Sequence, residues 1–145
     1  GEGDTVDAVE LYRAIAGEAG LTKLHPDYVA GQEVESFSVN PENLRVAYVA
    51  NQEDLAQQAL LLVDENSEIV ETGLELQVDA FIFHFNWQSE GRYVGIYGDM
   101  LVDNLYDHWV FDSEENSVLE PSQLEAGQTV TSPFTWAPGK SPLLI

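Results

Sequence analysis

The chain has 145 residues, with 26 acidic against 5 basic side chains, a formal net charge of -21 and no cysteine. These figures exclude disulfides, thiolate metal sites and thiol nucleophiles, and a field of this sign disfavours binding of nucleic acid through its phosphates. A hydrophobic content of 44% argues against disorder, and the length suits one domain that buries roughly 70% of its unfolded surface.

Residues 5–20 read as a helix, with Val9, Tyr12, Ile15 or Ala16, and Ala19 at helical spacing. Asp4 or Thr5 can cap its start, and Gly20, with Pro26 beyond, can stop it. Its apolar stripe is narrow and rich in alanine, which suits packing on a sheet edge or on another subunit.

From about residue 34 the period becomes two. VESFSV (34–39) and LRVAYVA (44–50) read as strands joined by the turn NPEN. QEDLAQQALLLV (52–63) is ambiguous: its first half favours a short helix, and ALLLV suits a buried strand. DENSE (64–68) is a loop and EIVET (68–72) a returning strand. LELQVDAFIFHFNWQ (74–88) reads as a long strand with Phe81, Phe83, Phe85 and Trp87 on one face and His84 on the other. SEG turns it into RYVGIYG (92–98), and LYDHWVFD (105–112) follows. EENSVLEPSQLEAG reads as a long loop, and QTVTSPFTWA (128–137) as a last strand that Pro133 confines to an edge or bend.

About eight short strands with polar loops predict a mainly β fold, an antiparallel β-sandwich or single jelly roll behind an N-terminal helical arm. The alternative is an α+β fold with helices at 5–20 and 52–60 on an antiparallel sheet. The expected organisation is an arm over 1–33, a β-sandwich domain over 34–137 and an extended arm over 138–145.

Candidate chemistry is sparse. Of three histidines, His25 precedes Pro26 in a loop, and His84 and His108 lie on strands where they could meet across a sheet. There is no HExxH or HxH pair, so sheet histidines are read as structural and no metal site is assigned. Carboxylate pairs carry no signal where acids abound, and Asp99 and Asp103 lack the EF-hand pattern. Ser89 and Ser132 have no G-x-S-x-G frame, and Gly91, Gly95 and Gly98 fit strand and turn better than a phosphate cradle. No catalytic residue and no cofactor is expected. Trp87, Tyr93, Tyr97, Tyr106 and Trp109 could form a sugar-binding platform, although core packing explains them more simply.

The acids are dispersed rather than blocked. A folded chain of this mass exposes roughly 7,400 Å², which would set 26 evenly spread acids about 17 Å apart. The Debye length falls from about 10 Å at 0.1 M salt to 3 Å at 1 M, so repulsion is severe in dilute buffer and nearly gone in brine. GQTVTSPFTWAPGKSPLLI breaks the pattern, with no acid after Glu125 and Lys140 as its one cation. Phe134, Trp136, Leu143, Leu144 and Ile145 make it apolar, and together with Tyr12 and Ile15 of the first arm they are the candidate interface residues. The competing reading makes it the last core strand of its own domain.

Scarce lysine beside abundant Asp and Glu resembles proteins of salt-in halophiles. With the strand rhythm from VESFSV to QTVTSPFTWA and the two arms, the chain resembles small capsid or vertex (penton) proteins of haloarchaeal viruses. The resemblance implies a non-enzymatic structural subunit of a virion, homo-oligomeric and in contact with neighbouring shell proteins. It transfers no functional residue. An acidic inhibitor or DNA mimic that binds a basic partner is the alternative, and a carbohydrate-binding surface domain a second. No apolar run approaches the roughly 20 residues of a membrane span, and the start, GEGDTVDAVE, lacks the basic flank and apolar core of a signal peptide, which fits either a leader already removed or a cytoplasmic start that lost its Met.

Overall fold

The computed structural model describes residues 9–55, 57–70, 72, 76, 79–100, 105–119, 134 and 136. Ten strands are found in these: β1 (Tyr12–Arg13), β2 (Thr22–Lys23), β3 (Val34–Val39), β4 (Val46–Asp54), β5 (Gln57–Val63), β6 (Ile69–Val70), β7 (Ile82–Trp87), β8 (Tyr93–Gly98), β9 (Asp107–Asp112) and β10 (Ser117–Leu119). All pairings are antiparallel. They give one sheet in the order β3-β4-β5-β6, a second in the order β10-β9-β8-β7, and the small pair β1-β2. The fold is mainly β and sandwich-like. Among the described residues each large sheet joins strands consecutive in sequence, and the finer jelly-roll connectivity is not shown.

The two sheets share one apolar core. Ala47, Val49, Leu60 and Leu62 of the first sheet meet Ile82, Phe85, Trp87, Val94, Ile96, Trp109 and Phe111 of the second. The intervening residues of the first sheet, Val46, Tyr48, Ala50, Leu61 and Val63, pack on its other side against Leu11, Leu24 and Tyr28. Both faces of β4 and β5 are therefore covered, which is why ALLLV is apolar without alternation. At one seam β3 meets β7: Trp87 Nε1 donates to the Ser38 carbonyl at 3.0 Å. Nearby, Asn40 Nδ2 donates to the Gly91 carbonyl at 2.7 Å while its Oδ1 accepts from Glu42 N at 2.9 Å, an Asx turn that closes NPEN.

The expected helix over 5–20 is corrected. Residues 9–20 form no helix; β1 pairs Tyr12 with Lys23 and Arg13 with Thr22. Gly17 and Gly20 adopt φ of 87° and 90°, which a helix does not contain. The narrow stripe offers little to bury: Val9, Tyr12, Ala16 and Ala19 stay exposed and Ile15 is half-buried, while Leu11, outside the stripe, reaches the core. The backbone bonds instead to the body. Val34 N donates to the Val9 carbonyl at 2.9 Å and Leu24 N to the Leu11 carbonyl at 3.0 Å. His25 is buried and stacked on Tyr28 at 3.9 Å, and its Nε2 accepts from Leu11 N at 3.0 Å. That places the ring proton on Nδ1, where it donates to the Pro26 carbonyl at 2.8 Å.

The alternative helix over 52–60 is also absent from the described residues, since β4 runs to Asp54 and β5 starts at Gln57. β10 occupies SVL, inside the stretch expected as loop. Of QTVTSPFTWA only Phe134 and Trp136 are described, and the expected arm 138–145 lies outside the described residues.

The aromatic ladder is interrupted. The register of β7 against β8 shifts between Ile82 and His84. This bulge puts Ile82, Phe85 and Trp87 in the core and leaves Phe81 46% and Phe83 62% exposed. Two of the four aromatics expected on the inner face therefore lie outside it.

Candidate interaction surface

β3 carries Phe37 and Val39 on the same side as its register partners Tyr48 and Val46, the outer side of the first sheet. Residues 9–31 cover only part of that side. Phe37 is 57%, Val39 58%, Leu44 46% and Tyr12 43% exposed. Between the β1 segment and β3 runs a groove of about 380 Å³, lined by Leu11, Tyr12, Ile15, Phe37, Val39 and Leu44 among others. Its lining is mainly apolar. Tyr12 and Ile15, named from sequence, thus lie on one wall, with Ile15 half-buried. Phe37, Val39 and Leu44 form the other and were missed. The alternation of ESFSV holds their signal, but a strand edge gives no sequence sign of whether its outer face is covered.

Tyr12 is held at the rim. Its hydroxyl donates to Glu10 Oε2 at 2.7 Å, which keeps the Glu10 carboxyl below its ordinary value and raises the Tyr12 phenol. Lys23 Nζ sits 5.7 Å from the Tyr12 ring centroid and pairs with Glu10 at 3.3 Å and Asp27 at 3.0 Å. At one end of the groove Arg13 donates to the carbonyls of Leu44, Asp64 and Glu65 and to Ser67 Oγ. One guanidinium therefore joins the β1 segment to two loops of the first sheet.

Phe134 and Trp136, also named from sequence, lie on the outer face of the second sheet. Phe134 is buried; its ring lies 5.3 Å from His84 and 5.9 Å from His108. Trp136 Nε1 donates to Asn86 Oδ1 at 3.1 Å. Gly95 makes room for both rings, since a Cβ there would stand 2.5 Å from Phe134 Cζ and 3.0 Å from Trp136 Cζ2. His84 and His108 share a face, each in register with Tyr97 between them. They meet through the ring of Phe134 rather than as a pair of ligands. Leu143, Leu144 and Ile145 lie outside the described residues.

Among the described residues no three His, Asp or Glu side chains converge as metal ligands. Asp99 is buried and accepts from Phe81 N at 2.6 Å, while Asp103 is outside the described residues. Asp112 is buried against Arg92, at 2.7 and 3.0 Å, and also accepts from Glu114 N and Glu115 N. These bonds, chiefly that from Arg92, hold its carboxyl below the usual range. Trp87 and Trp109 face the sandwich core; the sugar platform drawn from sequence therefore loses both indoles. Among the described residues no helix is long and apolar enough to cross a membrane.

Compared with protein-family models and with curated proteins, the chain matches neither.

Proposed function

We propose that the protein is a non-enzymatic structural subunit adapted to high salt, a β-sandwich that assembles with further copies of itself as the small capsid or vertex proteins of haloarchaeal viruses do. The observation that carries this reading is the apolar face of Tyr12, Phe37, Val39 and Leu44 on a chain of net charge -21. An aromatic side chain presents about 150–250 Å². At roughly half exposure Tyr12 and Phe37 alone leave on the order of 200 Å² in water, and Val39 and Leu44 extend this towards the few hundred Å² that mark interaction patches.

Two bodies of the same sign repel at long range. The composition supports brine as the setting where such contact is favourable, because molar salt shortens the Debye length to about 3 Å. The sandwich architecture agrees with the reading; the described strand order lends no support to its jelly-roll form. The test is native mass by light scattering, with circular dichroism, at 0.1 M and 3 M KCl. The expected result is an oligomer of defined size at 3 M and loss of both assembly and structure at 0.1 M. A folded monomer at both salt levels would sink the proposal.

A further inference from the structure

We propose that the groove between the β1 segment and β3 receives residues 138–145 of a second copy, with Leu143 and Ile145 inserted. This rests on the self-assembly reading above and names the contact that would make it.

The first argument is charge. Residues 126–145 are a run of 20 without an acidic side chain, twice the length of the next longest such runs, 43–52 and 80–89. Those two shorter runs contribute β4 and β7, which are already packed in the sandwich. The remaining run has Lys140 as its one charged side chain. It is the segment of this chain that brings no acidic side chain to a second body of net charge -21, and Lys140 adds a weak attraction.

The second argument is fit. Pro138 and Pro142 favour an extended path, and alternate residues of an extended segment share a face. On such a path Leu143 and Ile145 would share one face. A methyl or methylene group fills roughly the volume of a water, about 30 Å³, so two four-carbon side chains need about 240 Å³. The groove of about 380 Å³ accepts them, and Leu11, Ile15, Phe37 and Val39 line it.

The third argument is reach, and it decides for a second copy. Trp136 is fixed on the outer face of the second sheet by its bond to Asn86, whereas the groove opens on the outer face of the first. Packed layers lie about 10 Å apart, so the straight path through both sheets and their covers is about 25–30 Å. The way round an edge is longer. From 136 to 143 the chain spans at most about 25 Å when fully extended. Residue 143 thus falls short of its own groove and reaches that of a neighbour.

The test uses three proteins in 3 M KCl: the full chain, a key variant L143D/I145D and a groove variant Val39→Asp. Val39 is an exposed side chain, so the groove variant is expected to keep the circular dichroism of the full chain. The full chain should assemble and each variant alone should be a monomer. Mixed one to one, the variants should form a pair of limited size, because the intact segment of the groove variant can fill the intact groove of the key variant. A labelled peptide of residues 138–145 should bind the key variant saturably and the groove variant at least tenfold more weakly. If the full chain assembles while the key variant assembles equally well, self-assembly stands and this contact is wrong. The contact is equally wrong if the peptide binds both variants alike, or if removing residues 1–8 rather than changing Leu143 opens the groove to peptide. A full chain that stays monomeric in 3 M KCl overturns both readings.

Discussion

Gly95 lies in β8, in the middle of the second sheet, where a residue without a side chain ordinarily weakens a strand. Its replacement by alanine tests whether residues 134 and 136 are seated where the structure puts them. The added Cβ would stand 2.5 Å from Phe134 Cε2 and Cζ, against about 3.5–4.0 Å for relaxed carbon contact. The buried Phe134 ring, flanked by His84 and His108, must move by about 1 Å or leave. Overpacking of this kind costs about 1–3 kcal/mol. The lower backbone entropy of alanine in the unfolded chain returns about 0.4–1 kcal/mol, for a net loss of about 1–2 kcal/mol. In a Phe134→Ala background the 2.5 Å clash is gone and the 3.0 Å approach to Trp136 Cζ2 remains, so Gly95→Ala should be close to neutral, that contact offsetting the entropic gain of about 0.4–1 kcal/mol. The coupling in the double-mutant cycle is then about 1–2 kcal/mol, within the range for residues in contact. Urea unfolding in 2 M KCl, followed by tryptophan fluorescence, measures it; guanidinium would change the ionic strength along the titration. Equal costs of Gly95→Ala in the two backgrounds would refute the seating of Phe134 on Gly95.

The bulge in β7 makes a second prediction. Phe83→Ser should change stability by no more than about 0.5 kcal/mol, as an exposed position, and Phe85→Ala should cost about 3–5 kcal/mol; similar losses at both positions in urea titrations would restore the unbroken ladder. The third concerns pH. Asp112 has its pKa lowered, first by the bond from Arg92, so its stabilising contribution is complete above the ordinary carboxylate value of about 3.9 and is lost as pH falls through the lowered folded value. The gap in urea midpoint between the natural chain and Asp112→Asn should therefore be widest near neutrality and shrink below about pH 4. A gap constant from pH 7 to pH 2 would show that the carboxylate charge is not what Arg92 reads.

Alternation makes much of the sandwich visible in advance. VESFSV, RYVGIYG and the core of LYDHWVFD are strands with nearly the boundaries their patterns suggest. ALLLV reads as a buried strand, and its two covered faces explain the unbroken run. Where sequence and structure part, tertiary bonding outweighs local pattern. The helical spacing of Val9, Tyr12 and Ile15 is real, but Tyr12 and Arg13 pair with β2, Leu11 bonds to Leu24 and His25, Val9 to Val34 and the Arg13 side chain to Asp64 and Glu65, partners that helical periodicity does not register. A bulge adds one residue without any marker of its own, so in the sequence Phe81 and Phe83 look like Phe85. The groove is half legible for the same reason: Tyr12 and Ile15 stand more than 20 residues from Phe37 and Val39, and only the fold brings the two walls together.

The placement of the cations connects this architecture to its proposed solvent. Of five basic side chains, Arg13, Arg45 and Arg92 all bind loops at one end of the sandwich. Arg13 holds the Asp64 and Glu65 carbonyls, Arg45 bonds to Glu65 at 2.9 Å and Arg92 to Asp112 at 2.7 Å. Ser113 ties the last two together, accepting from Arg45 and donating to the Arg92 carbonyl at 2.6 Å. The bonds that Arg13 and Ser113 donate here go to carbonyl oxygens and the Arg92–Asp112 pair has a buried carboxylate, so salt weakens them less than it weakens exposed charges. The repulsions among dispersed surface acids act over about 17 Å and are screened. Added salt thus removes the unfavourable long-range term while it leaves the short bonds at the loop end, and the same asymmetry would let apolar faces of two such bodies approach. A chain whose few cations were scattered over the surface would lose its ion pairs together with its repulsions, and brine would stabilise it far less.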